Sequence, residues 1–330
     1  MDRKIRAKIT GLGSYHPSRL LTNADFEKMV DTSDEWITTR TGIKERWICD
    51  ENESNSDMSL AAGLRALEMS GNKPEDIELL LIGTVTPDKR LPSLACVVQD
   101  KMGLVNATAV DVVAACAGFL TGLSMANAYI KAGLFKKIMV IGAEKLSSIT
   151  DYTDRNTCVL FGDGAGAAIV EASDGDDGIL SIYIKSDGRH KKLLWIPDGG
   201  SDSPAHKINS LNGHHFDIIM NGKEVFKHAV RMMADASNRV LADANLKAED
   251  VNVMVPHQAN IRIMKSTAKR LGIPEEKVFV NLHKYGNTSA ASVPIAFDEA
   301  VRSGKIKKGD IVLMTAFGGG LIWGSAVVRW

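Results

Sequence analysis

Five short apolar runs mark the chain: IELLLIGTV from Ile77, KIMVIGAE from Lys137, GAAIVEA from Gly166, VNVMVPH from Val251 and DIVLMTAF from Asp310. Each is too short for a typical helix and rich in Val, Ile and Leu, the pattern of a strand buried on both faces. They alternate with longer stretches with apolar residues at helical spacing, such as SLAAGLRALEMSG from Ser59 and KEVFKHAVRMMADASNRVLADA from Lys223. In the second, Val225, Phe226, Ala229, Val230, Met233 and Val240 define one face. Such alternation predicts an α/β protein with sheets layered between helices. Residues 171–215, dominated by Gly, Asp and Ser, read as loops joining two halves.

The halves resemble each other. EDIELLLIGTV from Glu75 matches EDVNVMVPHQA from Glu249, an offset of 174. KAGLFKKIMVIGAE from Lys131 matches RSGKIKKGDIVLMTAFGGG from Arg302, with Gly133 on Gly304 at an offset of 171. MGL at Met102 matches LGI at Leu271. A period this long excludes a solenoid and indicates duplication of a unit of half the chain. The expected division is residues 1–173, carrying Cys116, and 174–330, carrying His257 and Asn287. At the 171 offset Cys116 and Asn287 fall on matching points, each after a β-rich run (ATAVDVV; KVFVNL) and before a helical stretch. His257 follows the run VNVMV, opposite Gly83. Packing about a pseudo-twofold brings Cys, His and Asn to one seam, a set suited to thiolate chemistry.

Composition narrows the class. The 330 residues are 45% hydrophobic and 24% charged, enough for a large core, and the formal net charge is zero. No overall charge advertises nucleic acid or an anionic membrane. The segment MDRKIRAKITGLGSYHP lacks a signal-peptide core, and no apolar run reaches the length of a spanning helix, so a cytoplasmic location is expected. Cys49, Cys96, Cys116 and Cys158 are too scattered for a disulfide framework or a zinc knuckle.

Cys116 lies among small residues in AACAGF, suited to a tight turn at a helix N-terminus, where a thiolate is favoured and its pKa lowered. A buried inert thiol fits the same context. His257 in VPHQAN is a cleft-rim group or a structural histidine. Asn287 in YGNTSAAS is a helix cap or a neutral donor, with Gly286 allowing an unusual backbone angle. The glycines of GLGSYHP and GDGAGAA do not match a dinucleotide fingerprint and read as close-packing positions. AFGGGLIWGS exposes backbone N–H groups after a strand, one side of an oxyanion hole or a flexible strand exit.

Taken together, DVVAACAGF, VPHQAN, YGNTSAAS, AFGGGLIWGS, FGDGAGAA and the N-terminal TNADFEKMVDTSDEWITTRTGIKERW resemble the β-ketoacyl-acyl carrier protein synthase III family, nearly end to end. The resemblance implies a thiolase-like fold, two duplicated α/β halves in a layered αβαβα arrangement. It implies a decarboxylative condensation of a short acyl-CoA primer with malonyl-acyl carrier protein, initiating type II fatty acid synthesis. Cys116 is then the nucleophile, Cys116 and Gly319 N–H groups form the oxyanion hole, and His257 and Asn287 assist malonyl decarboxylation. CoA contacts carry over to Thr32, Trp36, Arg40, Arg155, Asn260 and Arg262, with Asn156 where some relatives have Gly. Leu91 and Phe317 fall at acyl-tunnel positions, Leu91 reaching across a homodimer. Lys227, Arg262, Lys269 and Arg270 are expected to dock the carrier protein. No cofactor or metal is implied, CoA thioester being substrate. A biosynthetic thiolase needs a second catalytic cysteine, and none follows Cys158. A specialised condensing enzyme of secondary metabolism is the alternative.

Overall fold

The computed structural model describes residues 5–205 and 216–330; His214 and His215, in the expected loop region, lie outside the described residues. The first half contains β1 (Arg6–Tyr15), β2 (Arg19–Thr22), α1 (Asn23–Phe26), α2 (Asp34–Thr41), β3 (Glu45–Ile48), α3 (Asn55–Ser70), β4 (Leu79–Gly83), α4 (Leu94–Met102), β5 (Thr108–Val112), α5 (Gly118–Lys131), β6 (Lys137–Glu144) and β7 (Gly164–Ser173). The second contains β8 (Gly178–Ser186), β9 (Leu194–Trp195), β10 (Ile219–Met220), α6 (Gly222–Asp243), β11 (Val253–Pro256), α7 (Ile261–Leu271), α8 (Leu282–Tyr285), α9 (Ser292–Arg302), β12 (Ile311–Gly318) and β13 (Ile322–Arg329).

All five apolar runs are strands, and they build two sheets of the same design. One has the order β1-β7-β6-β4-β5 and the other β8-β13-β12-β11. In each, two antiparallel pairings (β1–β7 and β7–β6; β8–β13 and β13–β12) lead into a parallel one (β6–β4; β12–β11). The partner of β5 in the second half is reduced to a single parallel bridge, Met254 to Val278, so KVFVNL does not form the expected strand.

The expected pairing of Cys116 with Asn287 is corrected by this repeat. The turns Ala115–Ala117 and Ser289–Ala291 are equivalent, each leading directly into its helix, which sets Cys116 opposite Ala290 at an offset of 174. The 171 offset at Gly133 and Gly304 arises because α9 has 11 residues where α5 has 14. The loop reading of 171–215 is also corrected. β8 runs through it, with GILSIYIKS packed against β13 from Ser186 opposite Ile322 to Gly178 opposite Arg329.

Five layers follow from which faces are apolar. α5 and α9 lie between the sheets, and their Phe119, Leu123, Val293 and Phe297 share one core with Leu81 and Val140 of the first sheet and Val255 and Val312 of the second. Burial on both sides explains why the stretch from Gly118 is apolar nearly all round. Outer layers are α3 and α4 over the first sheet, and α6 and α7 over the second. The glycines of GLGSYHP serve packing: a Cβ at Gly11 or Gly13 would meet α3 carbonyl oxygens at 2.3 Å.

Candidate active site

Cys116 occupies the middle of a 3-10 turn between β5 and α5. Ala115, just before it, holds φ at 43°, a left-handed conformation that costs a non-glycine residue roughly 1–3 kcal/mol. The equivalent turn repeats this, with Ser289 at φ 49°. Its hydroxyl lies 3.4 Å from Cys116 Sγ. The end of β12 closes the other side: a Cβ at Gly318 would sit 2.6 Å from Cys116 N, so only glycine permits the contact, and Gly319 follows it.

His257 follows β11 directly, its N–H donating to Thr315 O at 2.7 Å. Its Nδ1 is 2.5 Å from Ser292 Oγ. That oxygen already accepts the Gln258 N–H at 3.4 Å, which leaves the serine hydrogen free to donate to Nδ1. With that hydrogen donated to Nδ1, Nε2 carries the ring proton. Burial pushes the imidazole down to about 4, so the ring is neutral at physiological pH.

Asn287 is fixed by its backbone. It exchanges hydrogen bonds with the 160–162 segment, donating to Leu160 O at 2.8 Å and accepting from Gly162 N at 3.0 Å. Gly286 makes the approach with φ 65° and ψ −158°, a region open essentially to glycine alone. Asn287 Oδ1 accepts Ser289 N–H at 2.9 Å, which leaves the carboxamide NH₂ to donate elsewhere.

Cys116, His257, Asn287 and Phe317 line one cavity of about 1210 Å³. The first comes from the first half and the other three from the second. Toward the mouth the walls include Trp36, Arg40, Asn156, Asn260 and Arg262. Arg155 is not on the wall, but its guanidinium sits 5.0 Å from the Trp36 ring, while that of Arg40 sits 4.7 Å from it. At 5.0 Å the Arg155 guanidinium packs directly on the Trp36 ring, with no room for a further planar group between them, which needs roughly 7 Å. Thr32 lies before α2, off the cavity wall, with its hydroxyl buried and unpartnered. Asn260 Oδ1 caps α7 through Arg262 N at 2.8 Å.

Other expected residues stand apart. Leu91 is 85% exposed and lines no part of the cavity. Lys227 lies on α6 and Lys269 and Arg270 on α7, all exposed outside the cavity, with Arg270 3.6 Å from Asp235. Cys49 and Cys158 are buried and Cys96 is exposed.

The expected low thiol pKa is corrected. Burial pushes Cys116 up to about 11. The turn is sealed by Gly318 of β12 and by the Ser289 turn, so burial outweighs the helix terminus. Glu144, absent from the sequence expectations, closes the apolar run KIMVIGAE and is fully buried. Its carboxylate accepts Thr86 Oγ1 at 2.5 Å, Val85 N at 3.1 Å, and Thr84 Oγ1 and Ser289 Oγ at 3.2 Å. Burial raises its pKa to about 7. A charge ending an otherwise apolar strand was the available signal. Ser289, Ser292 and Arg46 were also missed. Fully buried Arg46 donates to Asn23 Oδ1 at 2.8 Å and to Val159 O, anchoring the segment that holds Asn287.

Two duplicated α/β halves closing over a buried cysteine, histidine and asparagine define a thiolase-fold condensing enzyme. The family description "3-Oxoacyl-[acyl-carrier-protein (ACP)] synthase III C terminal" matches residues 241–330, and "3-Oxoacyl-[acyl-carrier-protein (ACP)] synthase III" matches 110–188. The β-ketoacyl-[acyl-carrier-protein] synthase III of Caldanaerobacter subterraneus is 53% identical over 100% of this chain and 99% of its own. The synthase III crystal structure from Aquifex aeolicus superimposes with a TM-score of 0.91 at 48% identity, covering 98% of this chain and 100% of that one. The priming β-ketosynthase of the R1128 polyketide pathway gives 0.92 at 36% identity, over 98% and 96%. The chain belongs to the β-ketoacyl-acyl carrier protein synthase III family and is an acyltransferase.

Proposed function

We propose that Cys116 is the nucleophile of this enzyme, and that His257 and Asn287 are the paired donors of its second half-reaction. The reaction is condensation of an acyl-CoA primer with malonyl-acyl carrier protein, the step that initiates fatty acid synthesis. The supporting observation is that the three side chains line a single cavity, although they come from two different halves.

Cys116 attacks the acyl-CoA carbonyl and keeps the acyl group as a thioester. The Cys116 and Gly319 N–H groups receive the developing oxyanion, a role supported by the contact of Gly318 with Cys116 N. CoA leaves and malonyl-acyl carrier protein enters. Loss of CO₂ places charge on the malonyl thioester oxygen. His257 Nε2–H and Asn287 Nδ2–H donate to that oxygen, because the other polar atom of each side chain is already engaged. Decarboxylation thus needs preorganised donors rather than a strong base. The resulting carbon nucleophile attacks acyl-Cys116 and yields β-ketoacyl-acyl carrier protein.

Trp36, Arg40, Asn260 and Arg262 hold CoA at the mouth, with Arg155 and Thr32 completing the site. Lys227, Arg262, Lys269 and Arg270 meet the acidic carrier protein. Exposed Leu91, Val110 and Val113 beside the open edge of β5 support a homodimer across that edge, where Leu91 enters the partner's acyl tunnel beside Phe317. The two halves meet between Ser173 of β7 and Gly178 of β8. Among the described residues no helix is long and apolar enough to cross a membrane; we place the enzyme in the cytoplasm. Initial rates with acetyl-, isobutyryl- and hexanoyl-CoA test the site. A leucine end wall predicts that branched and slightly longer primers are accepted, and strict acetyl preference would refute it.

A further inference from the structure

Glu144 has no part in the reaction as set out above, yet it is a fully buried carboxylate joined to the nucleophile through one hydroxyl. Ser289 Oγ stands between them, 3.4 Å from Cys116 Sγ and 3.2 Å from Glu144 Oε1. One hydroxyl hydrogen cannot serve both neighbours at once. The arrangement is self-consistent when Cys116 S–H donates to Ser289 Oγ and Ser289 O–H donates to Glu144. From the geometry we infer that Glu144 is the proton acceptor for the Cys116 thiol, acting through the Ser289 hydroxyl. This rests on the assignment of Cys116 as nucleophile.

The surroundings suit that task. The loop after β4 offers Thr84, Thr86 and the Val85 N–H to Glu144; α3 brings the neutral Asn55, which bonds Thr84 Oγ1; and β7 places Gly164 opposite. Among the described residues no Lys or Arg pairs with it. Lys145, its chain neighbour, turns its ammonium to Glu53 O at 2.7 Å. The titratable group that faces it is Cys116, across the serine. Burial lifts this carboxyl to about 7 against the pull of its neutral donors, and a thiol held up to about 11 by burial needs such an acceptor. Ser289 is held for the exchange by its left-handed backbone and by its N–H bond to Asn287.

In the step, the Cys116 proton passes to Ser289 Oγ while the Ser289 proton passes to Glu144. The S–H electron pair stays on sulfur, which adds to the thioester carbonyl carbon as the π pair moves to oxygen. On collapse the bond between carbonyl carbon and CoA sulfur breaks. The departing sulfur takes the proton back along the same hydroxyl. Cys116–SH and acyl-CoA become acyl-Cys116 and CoA–SH, with Glu144 ionised again.

The test is single-turnover acylation of the full-length enzyme by acetyl-CoA across pH 5.5–9, read by intact mass, in wild type, Glu144→Gln and Ser289→Ala. Wild type is expected to rise through an inflection near pH 7. Both variants are expected to lose that inflection and to acylate about 10²-fold more slowly at pH 8. A purely structural Glu144, tying the 84–86 loop to β6, would change melting temperature and leave the inflection in place. Ser289→Ala keeps Glu144 and its other three donors, so it decides the matter if Glu144→Gln fails to fold. Survival of the inflection in either folded variant overturns the relay alone. Absence of any acyl adduct on wild-type Cys116 overturns the nucleophile assignment and the relay together.

Discussion

Ser292→Ala is the most discriminating change to the second half-reaction. Ser292 and His257 are 2% and 3% exposed, so no bulk water replaces the lost hydroxyl. On the tautomer proposed above the Ser292 hydroxyl, at 2.5 Å, donates to Nδ1 and the ring proton sits on Nε2. Without it, Nδ1 is either a buried acceptor with no partner or takes the proton itself, which removes the donor that His257 offers the enolate oxygen. An unsatisfied buried group costs about 1–3 kcal/mol, which is a fall of roughly 5- to 150-fold in decarboxylation. The assay is CO₂ release from malonyl-acyl carrier protein by enzyme already acylated on Cys116, beside single-turnover acylation by acetyl-CoA. Decarboxylation is expected to fall through this range while acylation changes less than about threefold, Ser292 having no contact with the thiol. Ser292→Thr keeps a hydroxyl and is expected to recover most of the loss. Equal losses in both half-reactions, or no rescue by threonine, would refute the tautomer argument.

Asn287→Asp keeps the oxygen that accepts Ser289 N–H but loses the NH₂ donor, so the loop persists while decarboxylation drops about 10²–10³-fold and acylation falls far less; parallel losses measured by CO₂ release and intact mass would contradict this. The fully buried His257, lowered from 6.5 to about 4, stabilises the fold fully above pH 6.5, and that stability is lost as pH falls through about 4. Measured by urea unfolding, wild type should lose about 3 kcal/mol over that range relative to His257→Asn, the difference cancelling every other titrating group. Glu144, raised to about 7, runs the opposite way, its stability present below pH 4.5 and lost as pH rises through 7. Val113→Glu, at an 80% exposed position beside the open β5 edge, is expected to yield a monomer by light scattering; an unchanged dimer would place the interface elsewhere.

The strands were legible because burial on both faces removes polar residues from them, as in LLLIG of β4, where every position is buried. β8 was not, because most of its residues are only half-buried, it lies among Asp- and Gly-rich turns, and its pairing partner is the far end of the chain. The repeat was legible, but its register slipped by three residues, because sequence matching followed Gly133 and Gly304 across helices of unequal length. Cys116, His257 and Asn287 stood out through the motifs around them. Glu144 and Ser289 did not, since their meeting joins residues 145 positions apart and exists only once the two halves close. Thiol pKa was misjudged for the same reason: a helix N-terminus is a local feature, whereas the burial that outweighs it comes from β12 and the Ser289 turn.

The central claim is that one thiol, sealed between the halves, carries the primer. Incubation with acetyl-CoA alone, followed by intact-mass and peptide analysis, tests it most directly. The expected result is a single acetyl group on the peptide containing Cys116, absent in Cys116→Ser together with all condensation. An acyl group on Cys49, Cys96 or Cys158, or β-ketoacyl product formed at the wild-type rate by Cys116→Ser, would contradict it.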